Sequence, residues 1–129
     1  MNTDNNGKKY ILIAEDDPAY ASIYQTKLEN EGFEVVIAEN GDVALEQMRK
    51  RMPDLFVLDL VMSTKNGFEV LEQMHNDAAL KNIKVIVASN LSQHADIEKV
   101  SSYHVLDYFV KSDVSITDVV EKIKQAIAA

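Results

Sequence analysis

ILIAEDDP, Ile11 to Pro18, runs four apolar residues into three consecutive carboxylates and then a proline. An apolar run of this kind, without alternation, reads as a strand covered on both faces, the habit of parallel sheets. Asp17 followed by Pro18 has the form of an N-cap with proline at the first helical position. The stretch therefore encodes a buried strand that feeds directly into a helix. Its three adjacent carboxylates repel one another, so either they are a solvated cap or something positive is meant to sit beside them.

The same alternation continues along the chain. Strands are predicted over residues 10–14, 34–38, 55–58, 84–88 and 108–110. The first helix carries an apolar stripe of Tyr20, Ile23, Tyr24 and Leu28 and closes at Gly32. The second carries Ala44, Leu45, Met48 and Met52 and is stopped by Pro53, with Arg49, Lys50 and Arg51 as its solvated last turn. Val70, Leu71 and Met74 mark the third, after Asn66-Gly67. A fourth, roughly residues 92–102, can offer a core only Ala95, Ile97 and Val100. The last has Ile116, Val119, Val120, Ile123 and Ile127, with Ser115 and Asp118 spaced as a capping box. Five βα units with right-handed crossovers give an α/β, doubly wound, three-layer sandwich. Its five-stranded parallel sheet has the flavodoxin-like order 2-1-3-4-5.

Bulk properties narrow the function. At 129 residues the chain holds one domain, residues 9–129, after a disordered leader over residues 1–8. The net charge of −8 disfavours nucleic acid and anionic membranes as partners. With no cysteine, disulfides and zinc–thiolate sites are excluded. No segment has the length and apolarity of a signal peptide or membrane span, so a cytoplasmic location is expected.

Open α/β sheets bind ligands beyond the carboxyl ends of their strands. The first strand ends in Glu15, Asp16 and Asp17, the third in Asp59, the fourth in Ser89 and the fifth in Lys111, while the second ends in Glu39-Asn40 with no evident partner. Singly, each is an ordinary polar loop-end residue. Together they converge on one rim. Crowded carboxylates there call for protons or a divalent cation, and hard oxygen donors suit Mg²⁺. A carboxylate beside a cation and a lysine can attack phosphorus, and Ser89 can donate to the incoming phosphoryl oxygens.

These residues, in the motifs ILIAEDDP, LFVLDLVM followed by NGFEVL, VIVAS and DYFVK, resemble the receiver domain of two-component response regulators, within the CheY-like superfamily. The resemblance implies that Glu15 and Asp16 hold Mg²⁺, Asp16 directly and Glu15 through water. Asp59 is then the phosphoacceptor and a metal ligand, and the Val61 backbone carbonyl completes the metal shell. Ser89 is the switch hydroxyl, Tyr108 the switch aromatic and Lys111 the active-site lysine. It further implies a phosphoprotein acting in phosphorelay signal transduction. Its partners are a histidine kinase or phosphotransfer protein and an unidentified downstream protein, with neither nucleic acid nor membrane engaged by this chain. Such a chain is a phosphoacceptor switch rather than an enzyme, catalysing only its own phosphorylation and slow dephosphorylation.

Some positions depart from the family's habit. Ser112 replaces a proline that is often cis, Ser63 replaces another proline, and His104 stands where glycine is common before the fifth strand. Asn90 is larger than usual and is expected to narrow access to Asp59. Val61 and Leu91 flank the path of a hydrolytic water and, being apolar, cannot orient it, which points to a long-lived phosphorylated form. His75, His94 and His104 share no metal-ligand spacing. The alternatives are a phosphorelay intermediate, a receiver from a larger regulator, and, more remotely, a Mg²⁺-dependent aspartyl-phosphate phosphohydrolase. Against the last, Val61 stands where such enzymes place a second carboxylate. A flavodoxin-like cofactor binder would meet like charge in Glu-Asp-Asp.

Overall fold

The structure, a computed structural model, describes residues 7–128. The expected leader lies outside the described residues except for Gly7 and Lys8. Five strands alternate with five helices: β1 Tyr10–Ala14, α1 Pro18–Asn30, β2 Glu34–Ala38, α2 Gly41–Lys50, β3 Leu55–Leu58, α3 Gly67–His75, β4 Val85–Ser89, α4 His94–Ser101, β5 Asp107–Val110 and α5 Ile116–Ala128. All strand pairs are parallel, in the order β2-β1-β3-β4-β5. The sandwich and strand order match the sequence-based expectation.

Successive residues of a strand point to opposite faces, and the core divides accordingly. Leu12, Ala14, Phe56, Leu58, Val85 and Val87 pack with Leu45, Met48, Leu71, Met74 and Val100 of α2, α3 and α4. Ile11, Ile13, Val57, Ile86 and Ala88 pack with Tyr24, Leu28, Val119, Val120 and Ile123 of α1 and α5. Each fully buried large apolar side chain contributes about 1.5–3 kcal/mol relative to exposure, so both faces hold the central strands rigidly. That rigidity reaches the strand ends, where the polar residues stand.

Helix starts follow local chemistry. Asp17 accepts from the Ala19 amide at 2.9 Å and Pro18 occupies the first helical turn of α1. Asn40, which had no role in the sequence reading, caps α2 by accepting from Val43 N–H. Asn66 and Glu69 form a reciprocal capping box on α3, and Ser115 with Asp118 does the same near the start of α5. Gly67 is required by space: a Cβ there would lie 2.7 Å from the Asp59 carbonyl oxygen and from Leu60 Cα. This contact presses the start of α3 against the loop after β3.

Several sequence expectations are corrected. Ile23 is exposed, and Ala21 takes its place beside Tyr24 and Leu28. The second helix stops at Lys50, so Met52 is outside it and exposed. Arg51 is extended rather than helical, at φ −157°. Its guanidinium pairs with Glu34 and covers the Tyr10 ring at 3.9 Å, so it is a packed clamp, not part of a solvated turn. The fourth helix is shorter than expected. In it Val100 is buried, Ile97 is half-buried and Ala95 is exposed. Strands four and five run over Val85–Ser89 and Asp107–Val110, a residue away from their expected starts. His104 itself adopts the left-handed backbone, φ 61°, that glycine would take more easily.

Candidate functional site

Polar side chains avoid the interior unless something holds them there. Among the described residues, the buried polar or charged ones are Glu15, Asp59, Ser89 and Lys111. Glu15 and Asp59 immediately follow β1 and β3, Ser89 ends β4, and Lys111 immediately follows β5. The sheet thus collects its buried polar chemistry on its carboxyl-end rim.

Lys111 organises the rim. Its ammonium donates to Glu15 Oε1 at 2.5 Å and to Asp59 Oδ2 at 2.9 Å, across sequence separations of 96 and 52 residues. The Tyr20 ring centroid lies 4.3 Å from the same nitrogen. The other carboxylate oxygens are met by backbone: Glu15 Oε2 accepts from Asp17 N–H at 3.1 Å, and Asp59 Oδ1 accepts from Val61 N–H at 3.1 Å. Burial pushes the Glu15 carboxyl above its ordinary range, and Lys111 offsets this only in part. Burial alone would lower the Lys111 ammonium, but its hydrogen bonds to Glu15 and Asp59 outweigh that and hold it high. Lysine is therefore firmly charged where the carboxylates need a cation.

One cation faces a larger negative set. Carboxylate oxygens of Glu15, Asp16 and Asp59 lie within 4.8 Å of one another, with Asp16 exposed at the outer side. The donor set fits a hard divalent cation, since all three offer oxygen and the exposed side leaves room for water ligands. Asp17, third of the acidic run, is turned to capping α1.

Ser89 is fully buried, and its hydroxyl accepts from Leu91 N–H at 3.3 Å. The Leu91 carbonyl in turn accepts from the Tyr108 hydroxyl at 2.6 Å. Ser89 and Tyr108 therefore both hold the main chain of Leu91, one at its N–H and the other at its carbonyl, in the successive peptide groups that flank its Cα. That linkage through the backbone of Leu91 had no signal in the sequence. Val61, whose amide meets Asp59, is 55% exposed, Asn90 is exposed and Leu91 is half-buried. The peptide into Ser112 is trans, there being no cis peptide among the described residues.

Other residues stand apart. His75, His94 and His104 are exposed; His75 meets the Tyr103 ring edge-on, and His94 lies 3.5 Å from Glu98. The Tyr24 hydroxyl is buried and has no hydrogen-bond partner among the described residues. Burial, with the charge of Glu15, pushes that phenol far above its usual range. None of the described helices is long and apolar enough to cross a membrane.

Residues 11–124 match the model of the response regulator receiver domain. The polar-differentiation response regulator DivK of Brucella anthropi is 26% identical over 116 residues, 90% of this chain and 94% of the relative. A solved CheY-like response regulator receiver domain protein of Methanospirillum hungatei superposes with a TM-score of 0.86 at 27% identity, over 95% of each chain. The phosphorylated cyanobacterial phytochrome response regulator RcpA superposes with a TM-score of 0.79 at 31% identity, over 92% of this chain and 91% of that one.

Proposed function

The chain belongs to the response regulator receiver domain family of two-component systems, and from that membership we propose that Asp59 accepts a phosphoryl group from a partner histidine kinase and so switches a protein-binding surface. The carrying observation is the buried Asp59 carboxylate held by Lys111 at 2.9 Å beside an acidic cluster. The similarity to a solved response regulator that is itself phosphorylated supports the same reading.

In the transfer, an Asp59 carboxylate oxygen attacks phosphorus and the bond from phosphorus to the donor's nitrogen breaks. Lys111 Nζ turns its Asp59-directed hydrogen toward a phosphoryl oxygen, and its contact with Glu15 keeps the ammonium in place. Asp16 and Asp59 would hold Mg²⁺, with Glu15 behind them and the Val61 carbonyl beside them, and the bound ion supplies charge neutralisation for the phosphoryl oxygens. Val61 and Leu91 carry no group able to orient a hydrolytic water, so the phosphorylated form is long-lived.

The signal leaves through the Leu91 backbone that Ser89 and Tyr108 both hold. A Ser89 hydroxyl that swings away to donate to the phosphoryl group leaves the Leu91 N–H, which loosens the main chain at Leu91 and with it the carbonyl that anchors Tyr108. Nearby, α4 is held by few apolar contacts. Val100 is buried, Lys99 lies 4.7 Å from the Phe68 ring centroid, and Tyr103 just beyond the helix meets His75. Such an element moves at low cost. Adding Mg²⁺ with beryllofluoride, a phosphoryl mimic, should shift the amide NMR signals of Asp59, Ser89, Leu91, Tyr108 and Lys111. Shifts confined to the loop after β3 would contradict the switch, and none at all would contradict the acceptor.

A further inference from the structure

A buried ammonium has three hydrogens to place and tolerates no idle one. Two of those on Lys111 go to Glu15 and Asp59. On a further side stands the Tyr20 ring, its centroid 4.3 Å from the nitrogen, and the Lys111 side chain is 6% exposed. We propose that Tyr20 is a positioning residue for the phosphoryl-transfer site, its ring face fixing the Lys111 ammonium between Glu15 and Asp59 and closing that flank to water.

The ring is placed by the same short stretch that supplies the carboxylates. Glu15 directly follows the rigid core strand β1, Asp17 caps the helix on Ala19 N–H, and Pro18 sets its first turn, so Tyr20 enters α1 at a fixed offset from Glu15. Behind it Tyr24, one turn on, is almost completely buried and meets the Tyr20 ring at 6.1 Å between centroids, tilted 42°. Tyr24 is thus anchored in the core, Tyr20 rests on Tyr24, and Lys111 rests on Tyr20.

The consequence concerns the transfer step. Lys111 must exchange one carboxylate oxygen for a phosphoryl oxygen without drifting into water. Glu15 alone fixes one direction and leaves the four-carbon stem free to rotate about it. The aromatic face supplies a second fixed point that does not change when Asp59 is modified, and it attracts the ammonium through its electron-rich face. A phenylalanine keeps that face, whereas a leucine fills similar space without it.

This inference rests on Asp59 being the phosphoacceptor, and the experiment separates the two. In the full chain, the Lys111 ¹⁵Nζ ammonium signal should be resolved and slow to exchange with water in the parent and in Tyr20→Phe, and broadened or lost in Tyr20→Leu. Phosphorylation by acetyl phosphate with Mg²⁺ should slow about tenfold in Tyr20→Leu and stay within about twofold in Tyr20→Phe. An ammonium signal in Tyr20→Leu as sharp as the parent's, or equal rates in all three proteins, overturns the positioning role. A parent that takes no phosphoryl group while its ammonium signal still depends on the ring overturns the phosphoacceptor reading and leaves Tyr20 holding Lys111.

Discussion

The two rims of the sheet use similar parts to opposite ends. At the amino-end rim, Arg51 covers the Tyr10 ring at 3.9 Å and pairs with Glu34, on side chains 37% and 29% exposed. At the carboxyl-end rim, Lys111 faces the Tyr20 ring and pairs with Glu15 and Asp59, on side chains at most 8% exposed. Both are a cation on a tyrosine beside carboxylate. The first lies where water already screens charge, so it serves as a clamp on the chain leaving α2. The second is buried and sets one cation against Glu15, Asp59 and neighbouring Asp16. Surplus negative charge at this rim creates a demand for further cation, which the Mg²⁺ of the proposed function would meet.

Removing each cation breaks the comparison most directly. Lys111→Met strands two buried carboxylates and should cost about 3 kcal/mol of unfolding free energy in chelator. Millimolar Mg²⁺ should restore part of that loss. Arg51→Met should cost about 1 kcal/mol or less, with no Mg²⁺ dependence. Denaturant melts with and without Mg²⁺ measure both, and an equal Mg²⁺ response at the two rims would contradict the distinction.

Water access at the phosphoryl side is next in size. Val61→Gln places a group able to orient water beside Asp59 and should speed loss of the phosphoryl group by about tenfold. The readout is the decay of the adduct after the phosphodonor is removed. A parent that loses it within seconds would contradict the assignment to Val61 and Leu91.

A smaller effect follows from pH. Burial raises the Glu15 carboxyl above its ordinary 4.5. A group raised in the folded state adds stability that is fully present below its unfolded value and is lost as pH rises through the folded one. Relative to Glu15→Gln, the parent should therefore lose stability as pH rises above 4.5 through the raised Glu15 value in metal-free buffer. A difference that stays flat with pH would contradict the cost assigned to that buried carboxylate.

The strand-end rule made the rim legible, because a parallel sheet with covered faces leaves one place for Glu15, Asp59, Ser89 and Lys111 to meet. What escaped depends on contacts that periodicity does not encode. Met52 fits the stripe of the second helix, but Arg51 leaves the helix to reach Glu34, and Pro53 favours extended backbone before it. Ile23 fits the stripe of α1 equally well, yet the helix is turned so that Ala21 packs instead. Tyr20 reads as one more apolar position until the end of β5 brings Lys111 onto its face. The Ser89–Leu91–Tyr108 connection runs through the main chain of Leu91, and main-chain atoms leave no mark in a residue pattern.

The central claim is that the acidic rim is a phosphoryl site with Asp59 as the acceptor. Intact mass after incubation with acetyl phosphate and Mg²⁺, for the parent and for Asp59→Asn, tests it most directly. One phosphoryl adduct on the parent and none on the variant is the result predicted. An equal adduct on both proteins, or none on the parent with either acetyl phosphate or a phosphorylated histidine kinase, would contradict it.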